Sequence, residues 1–406
     1  MSAQMRRAAI VAPARTPVAK FLGALQGVPV ERLAATAIRA VVERSGVDPA
    51  RIDDVVFAQS YMNGETPCTG RWAALEAGLP IEAPGMQLDR RCGGGLQAIA
   101  TAAMMVQTGA ADVVIAGGVE SMSRVEYYTT DMRAGARAGS VQMYDRLERG
   151  RERSQPVERF GHISGMIETA ENLAREHQIT REASDAYAVE SHRRAAAAWV
   201  EGKFDGEIVP VSVPQRKGDP LLFAKDDGVR PDASLESLAA LRPIIKGGVV
   251  TAGNSSQQND AAAACLVVAE DRLAELGLEP MGYMVGWAAV GCHPATMGFG
   301  PVPAVEKLFA RTGFSWDRVD LVELNEAFAA QVLAVLKGWG KDGDKAFHAK
   351  LNVNGSGISL GHPIGATGVR MLATLLNEMK RRKARFGLET MCVGGGQGVA
   401  ALFEAA

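Results

Sequence analysis

The chain of 406 residues is written twice, and that repeat constrains its architecture more than any other feature. Glu43-Arg-Ser-Gly-Val-Asp-Pro-Ala-Arg-Ile-Asp-Asp-Val-Val-Phe57 resembles Ala310-Arg-Thr-Gly-Phe-Ser-Trp-Asp-Arg-Val-Asp-Leu-Val-Glu-Leu324. Each copy reads as a helix end, a glycine stop, a polar turn and an apolar strand. A looser echo pairs Gly95 to Met104, leading to the strand Asp112–Gly118, with Gly368 to Asn377, leading to Thr390–Gly395. The order of parts thus recurs roughly 270 residues later. Both copies alternate strand with helix, which predicts sheets covered by helices. The stretch Leu96–Val106 carries no charge, and a helix apolar all round belongs in the interior, here between sheets. Residues 123–249 break the repeat and are richer in Arg, Glu, Asp, Tyr and His. That segment reads as an inserted lid or ligand-binding arm, with a helix expected over 180–202.

The net charge of −2 implies no basic face, so nucleic acid is not an expected partner. No apolar run is long enough to span a membrane, and the first twenty residues lack a secretory apolar core. Five cysteines without regular spacing argue against a disulfide framework or a metal site and for reduced thiols in the cytoplasm.

Cys92 stands in Asp89-Arg-Arg-Cys-Gly-Gly-Gly-Leu-Gln-Ala98, between a strand end and a helix start. A helix N-terminus favours a thiolate, and the glycines leave room for a substrate. Cys392 lies in an equally glycine-rich run, Met391-Cys-Val-Gly-Gly-Gly-Gln-Gly398. Between them come Asn325-Glu-Ala-Phe328 and Gly361-His-Pro-Ile-Gly-Ala-Thr-Gly368. Two cysteines, a histidine and an asparagine in tight contexts suit acyl transfer. Each also has a plainer reading: a core cysteine for Cys92 or Cys392, a satisfied histidine for His362, a helix N-cap for Asn325. Cys68, Cys265 and Cys292 read as structural, and the Cys292-His293 pair as a coincidence of neighbours.

These motifs together resemble the thiolase family, as do Ala116-Gly-Gly-Val-Glu-Ser-Met-Ser123, Thr251-Ala-Gly-Asn-Ser-Ser256 and Met297-Gly-Phe-Gly-Pro-Val-Pro303. The matches run from Ala8 almost to the C-terminus. The resemblance implies an α/β fold, a five-layer αβαβα sandwich of two duplicated halves. Residues 1–122 with 250–275 would form the first half, 123–249 an inserted loop domain binding CoA, and 276–406 the second half. It implies a transferase of lipid metabolism and β-oxidation that cleaves 3-ketoacyl-CoA with CoA, or condenses acyl-CoA in reverse. In this reading Cys92 is the nucleophile, His362 its base and Cys392 the second acid/base. Asn325 orients a water, and the backbone N–H groups of Cys92 and Gly394 form an oxyanion hole. Ser256 and Arg230 would contact CoA, with Met166, Met297 and Phe328 lining the pocket; core filling is the alternative for the methionines. Arg216, Lys217 and Lys225 are further candidates for CoA phosphates, or a solvated basic loop. The implied partners are acetyl-CoA, CoA and 3-ketoacyl-CoA, without a tightly bound cofactor or metal, in a homodimer or homotetramer. A catalytically silent acyl-CoA-binding relative and another condensing synthase remain alternatives.

The chain departs from the family pattern at Asp89 and Arg91 beside the nucleophile, at Gly165-Met166-Ile167, and at Ser255-Ser-Gln-Gln258. Strand alternation predicts that Arg91 points away from Cys92, and Asp89 is expected to pair with Arg90 or Arg91.

Overall fold

The computed structural model describes residues 5–163 and 165–406. Its main sheet follows nine strands: β1 (Ala8–Arg15), β2 (Asp54–Ala58), β3 (Met86–Leu88), β4 (Val113–Ser121), β5 (Asn259–Ala269), β6 (Gly282–Gly291), β7 (Leu321–Leu324), β8 (Phe386–Val393) and β9 (Gln397–Ala405). Their spatial order is β7-β8-β9-β6-β1-β5-β4-β2-β3, with the two residues Ala19–Lys20 pairing on β5 off that path.

The repeat is visible as topology. In the first half β2 runs parallel to β4, β4 pairs antiparallel with β5, and β5 antiparallel with β1. In the second half β7, β8, β9 and β6 repeat the same sequence of parallel, antiparallel and antiparallel pairings. Within the main sheet Ala9↔Tyr283 and Ile10↔Gly282 join one half to the other, and an isolated bridge, Ser255↔Phe328, adds a second backbone link. Both copies of the glycine stop do the same job. Helix α1 (Val30–Ser45) ends on Gly46 at φ 71°, and a later helix, Pro301–Thr312, ends on Gly313 at φ 68°. That left-handed conformation is strained for a residue with a Cβ.

Five layers follow from strand alternation. Val55 and Phe57 of β2 face α1, whereas Val56 and Ala58 face inward. The inward faces of both halves meet two helices, α2 (Gly94–Thr108) and, from the second copy, Thr367–Arg382. Ala400 and Leu402 of β9 point to the far side, against Pro301–Thr312 and Ala329–Gly338. The uncharged stretch around Leu96–Val106 is therefore the middle layer, as its composition required. Continuing in chain order, α3 is Met166–Glu176, α4 Arg181–Val200, α5 Pro301–Thr312, α6 Ala329–Gly338 and α7 Thr367–Arg382. The helix expected over 180–202 is α4, capped by Thr180, whose side chain accepts from the Ala183 N–H at 3.1 Å.

The central helices cross at glycines. A Cβ on Gly95 would lie 2.9 Å from the Val369 nitrogen, and one on Gly368 would collide with the Leu96 backbone. This crossing brings the N-termini of α2 and α7 together.

The chain leaves the sheet at Ser121 and returns at Asn259, although Ser121 and Asp260 are register partners. The excursion is tied back by a buried ion cluster. Arg15 donates to Glu207 at 2.7 Å and to Asp226 at 2.8 Å, and Asp226 also accepts the Val18 N–H at 2.7 Å. Burial disfavours the guanidinium charge, but the two carboxylates outweigh it and hold Arg15 protonated.

Candidate active site

Cys92 lies in the single turn Arg91–Gly93 between β3 and α2. Arg91 adopts φ 46°, a left-handed conformation unusual for a side-chain-bearing residue. Asp89 supports it: its Oδ1 accepts the Arg91 N–H at 2.6 Å, and its Oδ2 sits 3.7 Å from Arg91 Nε. Asp89 thus pairs with Arg91, but strand alternation fails at this position because the strand ends at Leu88. Arg91 Cβ and Cγ pack 4.0 and 3.9 Å from where a Gly394 Cβ would stand, and its charge acts on the Cys92 thiol. It faces the site rather than away from it.

The glycines after Cys92 have separate reasons. A Cβ on Gly93 would sit 2.7 Å from Val399 Cγ1, and one on Gly94 3.0 Å from the Ala58 Cβ. Gly95 is the helix crossing. Burial pushes the Cys92 thiol up to about 11, against the opposing pull of the Gly394 N–H, the Arg91 charge and its own N–H. The dipole argument from sequence, which favoured a thiolate, is therefore outweighed by desolvation.

His362 follows Gly361, whose φ of 99° and contact with Asn259 leave no room for a side chain. The His362 N–H donates to Asn259 Oδ1 at 2.8 Å. Its Nδ1 lies 2.7 Å from Thr367 Oγ1, which itself donates to the Pro363 carbonyl at 3.1 Å. With that hydroxyl proton committed to Pro363, we assign the ring hydrogen to Nδ1 and the lone pair to Nε2, the nitrogen that the Asn325 amide approaches. Burial, then the Arg370 charge, depresses the imidazole to about 3. The thiol thus rests protonated and the imidazole neutral.

Asn325 follows β7 and is fully buried. Its Nδ2 is 3.4 Å from His362 Nε2, and its Oδ1 is buried without a partner. A Cβ on Gly357 would lie 2.7 Å from that oxygen. The N-cap alternative is not met, since α6 begins at Ala329 with Phe328 as its cap residue. Cys392, at the end of β8, is fully buried, with its thiol raised well above the usual range by desolvation, then by Cys92 and Cys292. It packs in one apolar cluster with Met297, Phe328, Ala327 and Met166. The Met166 sulfur stands 3.8 Å from a would-be Gly394 Cβ.

Ser256 is half-buried and joins this region through its N–H, which donates to the Ala327 carbonyl at 2.9 Å. Arg230 is not drawn into that cluster by any hydrogen bond or packing contact among the described residues. It is exposed, on a loop whose N–H donates to His192 Nδ1 at 3.2 Å. Arg216 and Lys217 are exposed, and Lys225 lies 5.4 Å over the Trp199 ring. Among the described residues no group of three or more His, Cys, Asp or Glu is arranged to hold a metal, and no helix is long and apolar enough to cross a membrane.

Three side chains went unassigned or misread in sequence. Glu120 accepts the N–H groups of Ser60 at 3.1 Å, Tyr61 at 3.2 Å and Gly365 at 3.0 Å, so it clamps a first-half loop to the α7 entry. Burial raises its carboxyl to about 7 despite these donors. Its setting, Gly-Gly-Val-Glu, was legible as a motif but not as a clamp. Glu326 accepts from Tyr187 at 3.0 Å, Ser191 at 2.6 Å, Asn352 at 3.0 Å and the Ile358 N–H at 3.2 Å, anchoring α4 to the second half. Cys292 acts electrostatically on Cys392 and lines a cavity of about 450 Å³ with Phe160 and His293. A second cavity, of about 340 Å³, adjoins it at Ser154 and Gly395 and is lined by Arg90, Arg91 and Gly394.

Comparisons with known proteins agree along the whole chain. Residues 8–271 match the thiolase N-terminal domain and 278–405 the thiolase C-terminal domain. An acetyl-CoA acetyltransferase of Chromobacterium violaceum is 46% identical over 399 residues, covering 98% of this chain and 99% of its own. One from Cupriavidus necator is 44% identical, covering 97% and 98%. The crystal structure of the Bacillus anthracis acetyl-CoA acetyltransferase superposes with a TM-score of 0.93 at 41% identity, over 99% of each chain. That of human mitochondrial 3-ketoacyl-CoA thiolase gives 0.92 at 35%, over 100% of each.

Proposed function

The chain belongs to the thiolase family and is an acyltransferase of that family, and on this premise we propose which residues carry the reaction and how. The reaction is reversible CoA-dependent cleavage of a 3-ketoacyl-CoA to acetyl-CoA and a shortened acyl-CoA. What supports the assignment of residues is two pairs near the helix crossing: Asn325 Nδ2 lies 3.4 Å from His362 Nε2, the Cys92 thiol acts on that of Cys392, and a Cβ on Gly94 would stand 3.9 Å from the Gly365 Cα.

In the cleavage direction His362 Nε2 takes the Cys92 proton. The thiolate attacks the C3 carbonyl, the C2–C3 bond breaks, and the electron pair stays on C2. Cys392 delivers its proton to C2, releasing acetyl-CoA and leaving the shortened acyl group on Cys92. In the second half-reaction the Cys392 thiolate takes the proton of incoming CoA. The CoA sulfur attacks the thioester, and Cys92 leaves and is reprotonated by His362. Burial supports both roles: it keeps the proton on sulfur until substrate arrives and leaves imidazole neutral to accept it. The N–H groups of Cys92 and Gly394 face one developing oxyanion, and a water oriented by Asn325 serves the other with His362.

Residues 123–249 would form the CoA-binding loop domain, with Ser256 and Arg230 along the CoA path and Met166, Met297 and Phe328 around the acyl and pantetheine end. The apolar cluster around Cys392 supports that second placement. We also propose a homodimer or homotetramer, supported by exposed Trp72, Leu75, Ile81 and Met86 around the sheet's open β3 edge. Five unpaired cysteines support a reducing, cytoplasmic setting. Initial rates of CoA-dependent cleavage over a panel of 3-ketoacyl-CoA esters test the reaction: acetyl-CoA and the shortened acyl-CoA should appear in equal amounts. No cleavage of any ester would contradict the reading.

A further inference from the structure

Arg90 and Arg91 line the smaller of the two cavities with Asp89, Ser154, Gln397 and the Gly394–Gly395 turn. The cavity's charges do not cancel. Asp89 is engaged with Arg91, by a 2.6 Å bond from the Arg91 N–H and a 3.7 Å approach to the guanidinium. Arg90 has no carboxylate partner among the described residues. Its one hydrogen bond goes to neutral Gln397 at 3.2 Å, and its Nε is buried with no partner. A guanidinium that has lost solvent at one nitrogen without gaining an anion is an incomplete pair.

The cavity also sits beside the reacting atom. Gly394, in its wall, acts through its N–H on the Cys92 thiol, and Arg91 is the residue before Cys92. Cys92 itself lines neither cavity, and both border the Gly394–Gly395 turn next to it. One is the Phe160 and Cys292 cavity, largely apolar at its lining; the other is the arginine cavity. Resting on the thiolase reading above, we propose that the arginine cavity receives the far end of an acyl group terminating in a carboxylate, with Arg90 as its counter-ion. The substrate class is then 3-oxo-acyl-CoA with a terminal carboxylate. Arg90 determines specificity without touching the bonds that change, and Arg91, already balanced by Asp89, shapes the cavity.

The test compares 3-oxohexanedioyl-CoA with 3-oxohexanoyl-CoA, alike in chain length and differing in terminal charge. Wild type should cleave the charged ester with kcat/KM about tenfold higher or more, and Arg90→Gln should lower that ratio about tenfold, the worth of one charge-assisted pair. A readout on the unmodified protein uses alkylation of Cys92 by iodoacetate and iodoacetamide. The ratio of the two rates should exceed that of free glutathione and fall toward it as salt rises. Cleavage of the neutral ester at an equal or higher kcat/KM than the charged one would overturn the inference while leaving the thiolase reading intact. So would an iodoacetate ratio no higher than that of glutathione. Failure to cleave either ester, with no acyl adduct on Cys92, would overturn the thiolase reading and this inference with it.

Discussion

The two halves share strand order and pairing sense but differ in one hairpin. In the second half β8 and β9 are closed by Gly394, Gly395 and Gly396, of which the last two have positive φ. In the first half the equivalent β4–β5 hairpin is opened to admit 122–258. Counting back three residues from the matched glycines Gly95 and Gly368 pairs Cys92 with Gly365, and six pairs Asp89 with His362. The first half therefore supplies one candidate reacting group and a long inserted arm, the proposed CoA-binding segment. The second supplies Asn325 and His362 on short loops and Cys392 at the end of β8. Duplication provides two helix N-termini at a crossing; the proposed chemistry arises where their symmetry is broken.

The strongest way to break this comparison is Cys92→Ala. It should cost about 10⁴-fold in kcat/KM, roughly 5 kcal/mol, since nothing in the second half replaces a nucleophile. Steady-state cleavage rates check it, and retained activity would mean that the halves do not divide the work this way.

Gly368→Ala tests the crossing itself. The new methyl meets the Leu96 backbone, which cannot rotate away, so a loss of about 1–3 kcal/mol is expected from chemical denaturation. Gly313→Ala, a helix stop with open space around it, should cost only its left-handed strain, about 1 kcal/mol.

Acid should weaken the fold through two buried histidines, one inside the insertion and one in the second half. His192 is depressed to about 4 and His362 to about 3, burial being the leading cause for each. Below the ordinary value of 6.5 the unfolded chain takes up protons that the folded chain refuses, so this contribution to stability falls as pH drops from about 6.5 toward 3. Glu120 runs oppositely. Raised from 4.5 to about 7, its carboxyl gives a contribution fully present below 4.5 and lost as pH rises through about 7. Thermal unfolding of wild type, His192→Gln and Glu120→Gln across pH 4–8 separates the two. His192→Gln should flatten the acid limb, and Glu120→Gln the rise in burial cost near neutrality.

The smallest expected effect is at Arg91. Its field favours the Cys92 thiolate, but the side chain is partly exposed and paired with Asp89. Arg91→Leu should shift the pH profile of iodoacetamide alkylation at Cys92 upward by less than about one unit. A larger shift would make Arg91 the activating group.

Much of this was legible in the sequence because duplication leaves register marks. The glycine stops Gly46 and Gly313, the uncharged α2 and the capped α4 follow from local pattern alone. The four candidate site residues stood out in the sequence because each sits in a glycine-rich or acidic motif. What the sequence did not carry is three-dimensional balance. Arg91 was placed on the wrong side because the strand ends three residues earlier and the chain turns through a left-handed residue. The Cys92 thiol was expected to be acidified, since a helix N-terminus is visible in a sequence and desolvation is not. Glu120 and Glu326 bridge segments 245 and 135 residues away, Gly365 and Ser191, and no local pattern encodes such partners. Cys292 looked like filler for the same reason.

The central claim is that the nucleophile of one half and the proton donor of the other serve separable half-reactions. Cys392→Ser, incubated with acetyl-CoA and examined by intact-mass and peptide mass spectrometry alongside solvent exchange of the acetyl-CoA α-protons, tests it most directly. The account predicts a normal acetyl adduct on Cys92 together with loss of α-proton exchange and of carbon–carbon bond formation. A variant that cannot be acetylated yet still exchanges α-protons would contradict it.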